Sequence, residues 1–160
     1  MKTAVIYYSY EGNSVLVADI IKAALKADVF EIKTQDTKKR DGFIKYAWGG
    51  SQVVMHKKPK LRPLSVDLNP YDLIILGTPV WAWSPSPAIV SFIAGKKISG
   101  KKLALFCCHG GGPGKTLEKL KALLPGNTIV GEIDIKYPSK MDKDELKKKI
   151  EDWVKNLLTK

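Results

Sequence analysis

The chain has 160 residues, 44% of them hydrophobic and 27% charged, and a formal net charge of +11. So large an apolar fraction excludes a disordered chain, and the length predicts one domain over residues 1–160 with a sizeable core. No apolar run is long enough to span a membrane, and the first strand starts too near Met1 to leave room for a signal peptide, so a cytoplasmic protein is expected.

Thr3 to Tyr8 is a continuous apolar run rather than an alternation, which suits a strand buried on both faces of a parallel sheet. The turn Ser9-Tyr10-Glu11-Gly12-Asn13-Ser14 follows it. It feeds a helix over residues 14–26, in which Val17, Ile21, Ala24 and Leu25 recur at helical spacing. A hydroxyl- and glycine-rich turn at a helix N-terminus is a phosphate cradle. Ser9, Asn13 and Ser14 can donate from side chains, Gly12 lets the backbone approach, and Tyr10, Glu11 and Val15 contribute main-chain amides. The same residues also suit a plain helix cap, and the turn alone does not separate the two readings.

Val29 to Ile32 is a second strand. Residues 33–64 are the least regular section. Asp41 is placed to cap a helix carrying Phe43, Ile44, Ala47 and Trp48, which Gly49-Gly50 should weaken or bend and Val53-Val54-Met55 should continue. Pro59 and Pro63 then favour extended chain. Nine basic residues (Lys33, Lys38, Lys39, Arg40, Lys45, Lys57, Lys58, Lys60 and Arg62) face only Asp36 and Asp41 between positions 33 and 62. Such a focus attracts nucleic acid, an acidic protein or an anionic substrate, or is simply a solvated surface. Without a nucleic-acid motif it supports only non-specific binding, so no specific nucleic-acid partner is expected.

Tyr71 to Leu76 is the most strand-like run, ended by Gly77-Thr78-Pro79. Pro85 and Pro87 suit the first turn of a helix, with Ser84 or Ser86 as cap and Ile89, Phe92 and Ile93 facing inward. Lys102 to Cys108 is a fourth strand, closed by His109-Gly110-Gly111-Gly112-Pro113-Gly114. A helix with Leu117, Leu120, Leu123 and Leu124 stops at Pro125-Gly126. Thr128 to Ile135 is a fifth strand, and a last helix from about Asp142 to Leu158 sets Leu146, Ile150, Trp153 and Leu157 on one face. Cys107 and Cys108 are adjacent, which argues for reduced thiols, and neither His56 nor His109 has metal-site spacing.

Five β-then-α units in series predict an α/β, doubly wound, five-stranded parallel sheet with helices on both faces. Ligands of such sheets sit beyond the carboxyl ends of the strands, where the winding reverses, and the loops after strands 1, 3 and 4 leave at that edge. The second loop, Thr78-Pro79-Val80-Trp81-Ala82-Trp83, sets two indoles between prolines, as stacking on a flat ring requires, although either indole could instead cover the core. The third, Cys108-His109-Gly110-Gly111, brings bare main chain to a heterocycle's polar edge. Together they describe a site for a mononucleotide with a planar ring.

At these residues the chain resembles the flavodoxin-like family over essentially its whole length. Ser9, Gly12 and Ser14 match the phosphate loop, Gly77-Thr78-Pro79-Val80-Trp81 before a Pro-started helix matches the second flavin loop, and His109-Gly110-Gly111 matches the third. The resemblance implies a three-layer sandwich with strand order 2-1-3-4-5 and one non-covalent FMN. Glu11 departs from it, standing where flavodoxins often place a third hydroxyl, and a carboxylate beside a phosphate repels unless it points outward or pairs with a cation.

An electron carrier needs no acid or base, and no catalytic residue is singled out; its redox partner protein would be matched to a basic surface, with an acidic partner as one option. An FMN-dependent reductase of quinones with a nicotinamide donor is the alternative, its pocket walled by residues 42–62 with Trp48, His56 or Lys58 reaching in. A basic module without flavin is a third. A phosphoacceptor receiver is argued against by the strand ends Tyr7-Tyr8-Ser9 and Leu76-Gly77-Thr78, which lack its carboxylates.

Overall fold

In the computed structural model, which describes residues 1–36, 38, 40 and 42–159, the strands are β1 (Thr3–Tyr8), β2 (Asp28–Ile32), β3 (Leu73–Trp81), β4 (Ser84–Pro85), β5 (Lys102–His109) and β6 (Thr128–Lys136). The helices are α1 (Asn13–Leu25), α2 (Gly42–Val54), α3 (Pro87–Lys96), α4 (Thr116–Ala122) and α5 (Lys143–Leu158), with a 3-10 turn at Pro138–Lys140. The expected cap Asp41 and Lys39 of the basic cluster lie outside the described residues.

β1, β2, β3, β5 and β6 form a parallel sheet ordered β2-β1-β3-β5-β6, the expected 2-1-3-4-5 path when β4 is left out of the count. The sheet has six strands rather than five. The sixth, β4, pairs antiparallel with the end of β3, Val80 opposite Pro85 and Trp81 opposite Ser84. Pro85 cannot donate to a ladder, so such a strand stays short and on an edge. Pro85 therefore belongs to this hairpin, and α3 starts at Pro87 with Ser86 as N-cap.

Period-two alternation divides the core between the sheet's two faces. Val5, Tyr7, Ile75, Ala104 and Phe106 pack with Val17 and Ile21 of α1 and Ile150, Trp153 and Leu157 of α5. Ala4, Ile6, Ile74, Leu76, Leu103 and Leu105 pack with Ile89, Phe92 and Ile93 of α3 and with Leu120. Asp142 Oδ1 accepts from the amides of Asp144 and Glu145, an N-cap that starts α5 where the sequence places it.

Gly77 does not end β3. The strand runs on through Thr78 and Pro79, paired with Cys107 and Cys108. A Cβ at Gly77 would lie 2.0 Å from Phe106 Cζ, so the glycine makes room for a neighbouring strand's ring. β3 thereby carries the second loop past the sheet's edge.

Between β2 and β3 the chain makes an excursion closed at its base. Thr34 bridges Leu61, the Gln35 amide donates to the Lys60 carbonyl (2.9 Å), and the Arg62 amide donates to the Lys33 carbonyl (2.7 Å). α2 lies inside this excursion and runs unbroken through Gly49-Gly50. Only Gly49 of the helix is buried, at a distance where a Cβ would touch the Trp81 ring at 3.6 Å. No helix among the described residues is long and apolar enough to cross a membrane.

Candidate functional site

The loops after β1, β3 and β5 meet at the carboxyl edge of the sheet around a cavity of about 560 Å³. Of the residues expected at the cofactor, Ser9, Tyr10, Glu11, Asn13, Ser14, Pro79, Val80, Trp81, Ala82, Trp83, Cys108, His109, Gly110 and Gly111 line it. Gly12, Val15 and Thr78 do not. The Gly12 amide is spent inside the turn, donating to Ser9 Oγ at 3.1 Å, and its φ of 91° is what lets the chain turn into α1. Val15 turns its side chain to the core beneath. Thr78 is fully buried, and its Oγ1 accepts from the Ser86 amide at 3.0 Å, fixing the hairpin that carries the indoles.

At the α1 end the cavity presents hydrogen-bond donors of the kind that could hold an anion. No side chain caps α1, so its first-turn amides remain open at the positive end of the helix. Ser9 Oγ accepts within the turn and keeps its own proton to donate. Asn13 Oδ1 accepts from the Ser139 amide at 3.0 Å, leaving the side-chain nitrogen as the free donor. Ser14 is 1% exposed, and its Oγ has no nitrogen or oxygen partner, only the Cys108 thiol as neighbour. A buried hydroxyl left without a partner costs free energy that a bound acceptor would recover. Glu11 pairs with Lys45 Nζ of α2, which offsets its charge beside the cradle and holds the Lys45 pKa above its usual value.

The middle of the cavity is aromatic. Trp81 meets Tyr8, Tyr10 and Trp48 edge-on at centroid distances of 6.0, 5.7 and 5.4 Å. The Arg40 guanidinium covers Trp48 at 4.2 Å, and the Arg40 amide donates to the Tyr10 hydroxyl at 2.7 Å. Trp81 is thus held by packing as well as facing the cavity. Trp83, on the same hairpin, is exposed, and Gly114 gives it room, since a Cβ there would meet the Trp83 side chain at 2.6 Å. Ala82 and Trp83 form the two-residue turn with φ of 45° and 56°, values that favour Asn and Gly.

At the far end His109 Nε2 hydrogen-bonds Asp134 Oδ2 at 2.9 Å, which leaves Nδ1 buried and without a partner. Gly110 is bare because the Tyr137 ring lies where its Cβ would go, 2.7 Å from Cε1. Burial pushes the Cys108 thiol up to about 12, so it stays neutral at the cavity wall.

Lys45, Tyr46, Gly49, Gly50, Gly112 and Tyr137 also line the cavity and were not read as site residues. Of the wall expected from residues 42–62, Trp48 reaches the cavity, whereas His56 and Lys58 do not. Two sequence features bear on α2 in retrospect: the glycine pair, expected to weaken or bend the helix but serving close approach, and Glu11, expected to point outward or pair with a cation.

A model of the family described as Flavodoxin matches residues 2–157. No curated protein matches the sequence. Among solved structures, a flavoprotein in complex with FMN from Lactobacillus acidophilus is similar with 25% identity and a TM-score of 0.73, over 83% of this chain and 92% of that one. A protein of Bacteroides eggerthii provisionally named a flavoprotein aligns with 21% identity and a TM-score of 0.78, over 95% and 97%. Flavodoxin 2 from Bacillus cereus aligns with 19% identity and a TM-score of 0.59, over 99% of each chain. The last two likenesses speak for the fold alone.

Proposed function

The chain belongs to the flavodoxin family, and on that premise we propose that it binds one FMN non-covalently at the carboxyl edge of its sheet and exchanges electrons through it with a partner protein. The buried Ser14 hydroxyl, unpartnered beside the open amides of α1, is the observation that carries this reading. The FMN complex of the similar Lactobacillus acidophilus flavoprotein supports it.

Bound FMN supplies the redox chemistry, taking up and releasing one or two electrons. The chain's own residues supply binding and tuning. Ser9, Asn13, Ser14 and the first-turn amides of α1 hold the phosphate. Pro79, Val80, Trp81 and Trp83 confine the ring and exclude water, Trp81 being braced by Tyr8, Tyr10 and Trp48. Main-chain groups of Gly110 and Gly111 and the Nδ1 of His109, oriented by Asp134, meet its polar edge. The neutral Cys108 thiol adds no negative charge against a reduced ring. Of the described residues of the basic segment only Lys45 lines the cavity, and Glu11 pairs with it, so the segment's charge acts on the ring less than its size suggests.

Absorption titration of flavin-free protein with FMN tests the reading, with riboflavin as control. Saturation at one equivalent with FMN and much weaker binding of riboflavin are expected; no spectral change with either would overturn it. A second reading, an FMN-dependent reductase, is favoured by one observation: α2 walls the cavity with Lys45, Tyr46, Trp48, Gly49 and Gly50, enclosing a space where a flat hydride donor could stack. Consumption of a reduced nicotinamide by the FMN-loaded protein alone would select it over the carrier.

A further inference from the structure

α2 is built inside out. A solvated helix sends its charges outward and its apolar side chains inward. Here the one charged residue of the helix, Lys45, turns in to Glu11, while Phe43, Ile44, Tyr46, Val54 and the adjoining Met55 are between 61% and 84% exposed. Five exposed apolar side chains gathered on and beside one helix point to a contact surface rather than chance exposure. The chain that leaves it is cationic: Lys57, Lys58, Lys60 and Arg62 follow the helix in sequence, and no carboxylate occurs between residues 42 and 66. The patch is also continuous with the cavity mouth, since Tyr46 and the exposed Trp83 line the cavity.

We propose that the outward face of α2, with Lys57, Lys58 and Lys60 in the segment that follows it, is the docking surface of an acidic one-electron carrier protein. The proposal rests on the flavin reading above for its purpose, though not for its geometry. Charge selects the occupant. A second copy of this chain would bring two identical lysine clusters face to face, which repels. An anionic lipid surface would satisfy the charge, but it delivers no electron to a mouth that the patch borders. An acidic carrier satisfies both conditions, with steering by the lysines and a small apolar centre as in transient redox complexes. Each productive encounter oxidises the carrier by one electron and reduces the bound FMN by one; a second completes the reduction, with proton uptake from solvent.

The probe is an acidic [2Fe–2S] ferredoxin, used in two ways. Its association is measured with FMN-loaded and with flavin-free protein, and electron delivery to the loaded protein is followed by stopped-flow absorption. Three variants are compared with wild type: F43S/I44S/V54S, K57E/K58E, and K147E/K148E on α5, which makes the same change in net charge far from the patch. FMN affinity should be unchanged in all three, because none of these residues lines the cavity. The first two variants should lose on the order of tenfold in association and in rate, and the α5 variant should stay near wild type. An equal loss in the α5 variant would reduce the effect to net charge and overturn the proposal, as would no loss in the α2 variants. So would a dimer in sedimentation that F43S/I44S/V54S abolishes, or a preference of the wild type for anionic vesicles over the ferredoxin. If FMN fails to bind, association of the flavin-free protein still tests the surface, so the two failures are distinguishable.

Discussion

Replacing Ser14 with alanine is expected to move two quantities in opposite directions. In the flavin-free protein the Ser14 hydroxyl is buried without a nitrogen or oxygen partner, and removing it ends that desolvation cost. The cost of an unpaired buried hydroxyl is about 1–3 kcal/mol, and the neighbouring Cys108 thiol places this one at the low end, about 1 kcal/mol. For a chain of this size that raises Tm by about 2–4 °C. On the assignment proposed above, the same hydroxyl donates to a charged phosphate oxygen once FMN is bound, a bond worth about 1.5–3 kcal/mol. Its loss should weaken FMN binding about 10- to 150-fold. Riboflavin, which has no phosphate, should bind S14A as it binds the wild type. Thermal melts of the flavin-free protein and fluorescence titrations with both flavins read the three numbers. A lower Tm in S14A, or equal weakening of FMN and riboflavin, would refute the assignment of the hydroxyl to the phosphate.

Gly77→Ala places a Cβ 2.0 Å from Phe106 Cζ, so it should cost about 3 kcal/mol in denaturant unfolding, with partial rescue by F106L. Ala82→Asn suits the positive φ of 45° in the hairpin turn and should raise stability by about 0.5–1 kcal/mol, read in the same assay. The Cys108 thiol, lifted from 9.0 to about 12 by burial, should react with a disulfide reagent at pH 8 about a thousandfold more slowly in the folded than in the unfolded chain, from thiolate fraction alone. Tyr7 and Tyr8, from 10.0, and Cys107, from 9.0, are likewise raised to about 12 by burial. These groups hold more protons folded than unfolded, so stability is fully present below about pH 9 and falls as pH rises toward 12; urea midpoints across pH 7–11 check this.

β1 was legible to the residue, because a two-sided buried strand announces itself as an unbroken apolar run between polar turns. The five parallel strands followed from the alternation of such runs with helical periodicity, their order from the family resemblance, and Asp142 marked the start of α5. What the sequence did not disclose depended on partners distant along the chain. Gly77 reads as a strand breaker until Phe106 is seen to occupy its missing side chain. Ser84-Pro85 reads as a helix start because a two-residue strand has no period. Periodicity tells which residues of α2 share a face but not which way that face looks, and here it looks outward. Glu11 called for either an outward orientation or a cation, without naming Lys45, 34 residues away. Tyr137 reaches the cavity only because β6 ends at the same edge as the three loops.

The bridged base of the excursion between β2 and β3 makes α2 a detachable part. Thr34 and Leu61 are already paired, so the ends of the excursion stand where a hairpin's ends would. Apart from the helix's own Gly49, no described residue between 36 and 59 is buried. Joining Gln35 to Lys60 through a short turn would therefore remove one wall of the cavity while leaving the sheet and both halves of the core intact. The deleted stretch carries six basic residues against Asp36 and Asp41, so the shortened chain would also shed four of its eleven net charges. The wall and much of the charge can thus be lost, lengthened or exchanged in one event, without any compensating change in the scaffold. The docking surface proposed above can therefore be altered without altering the fold that carries it.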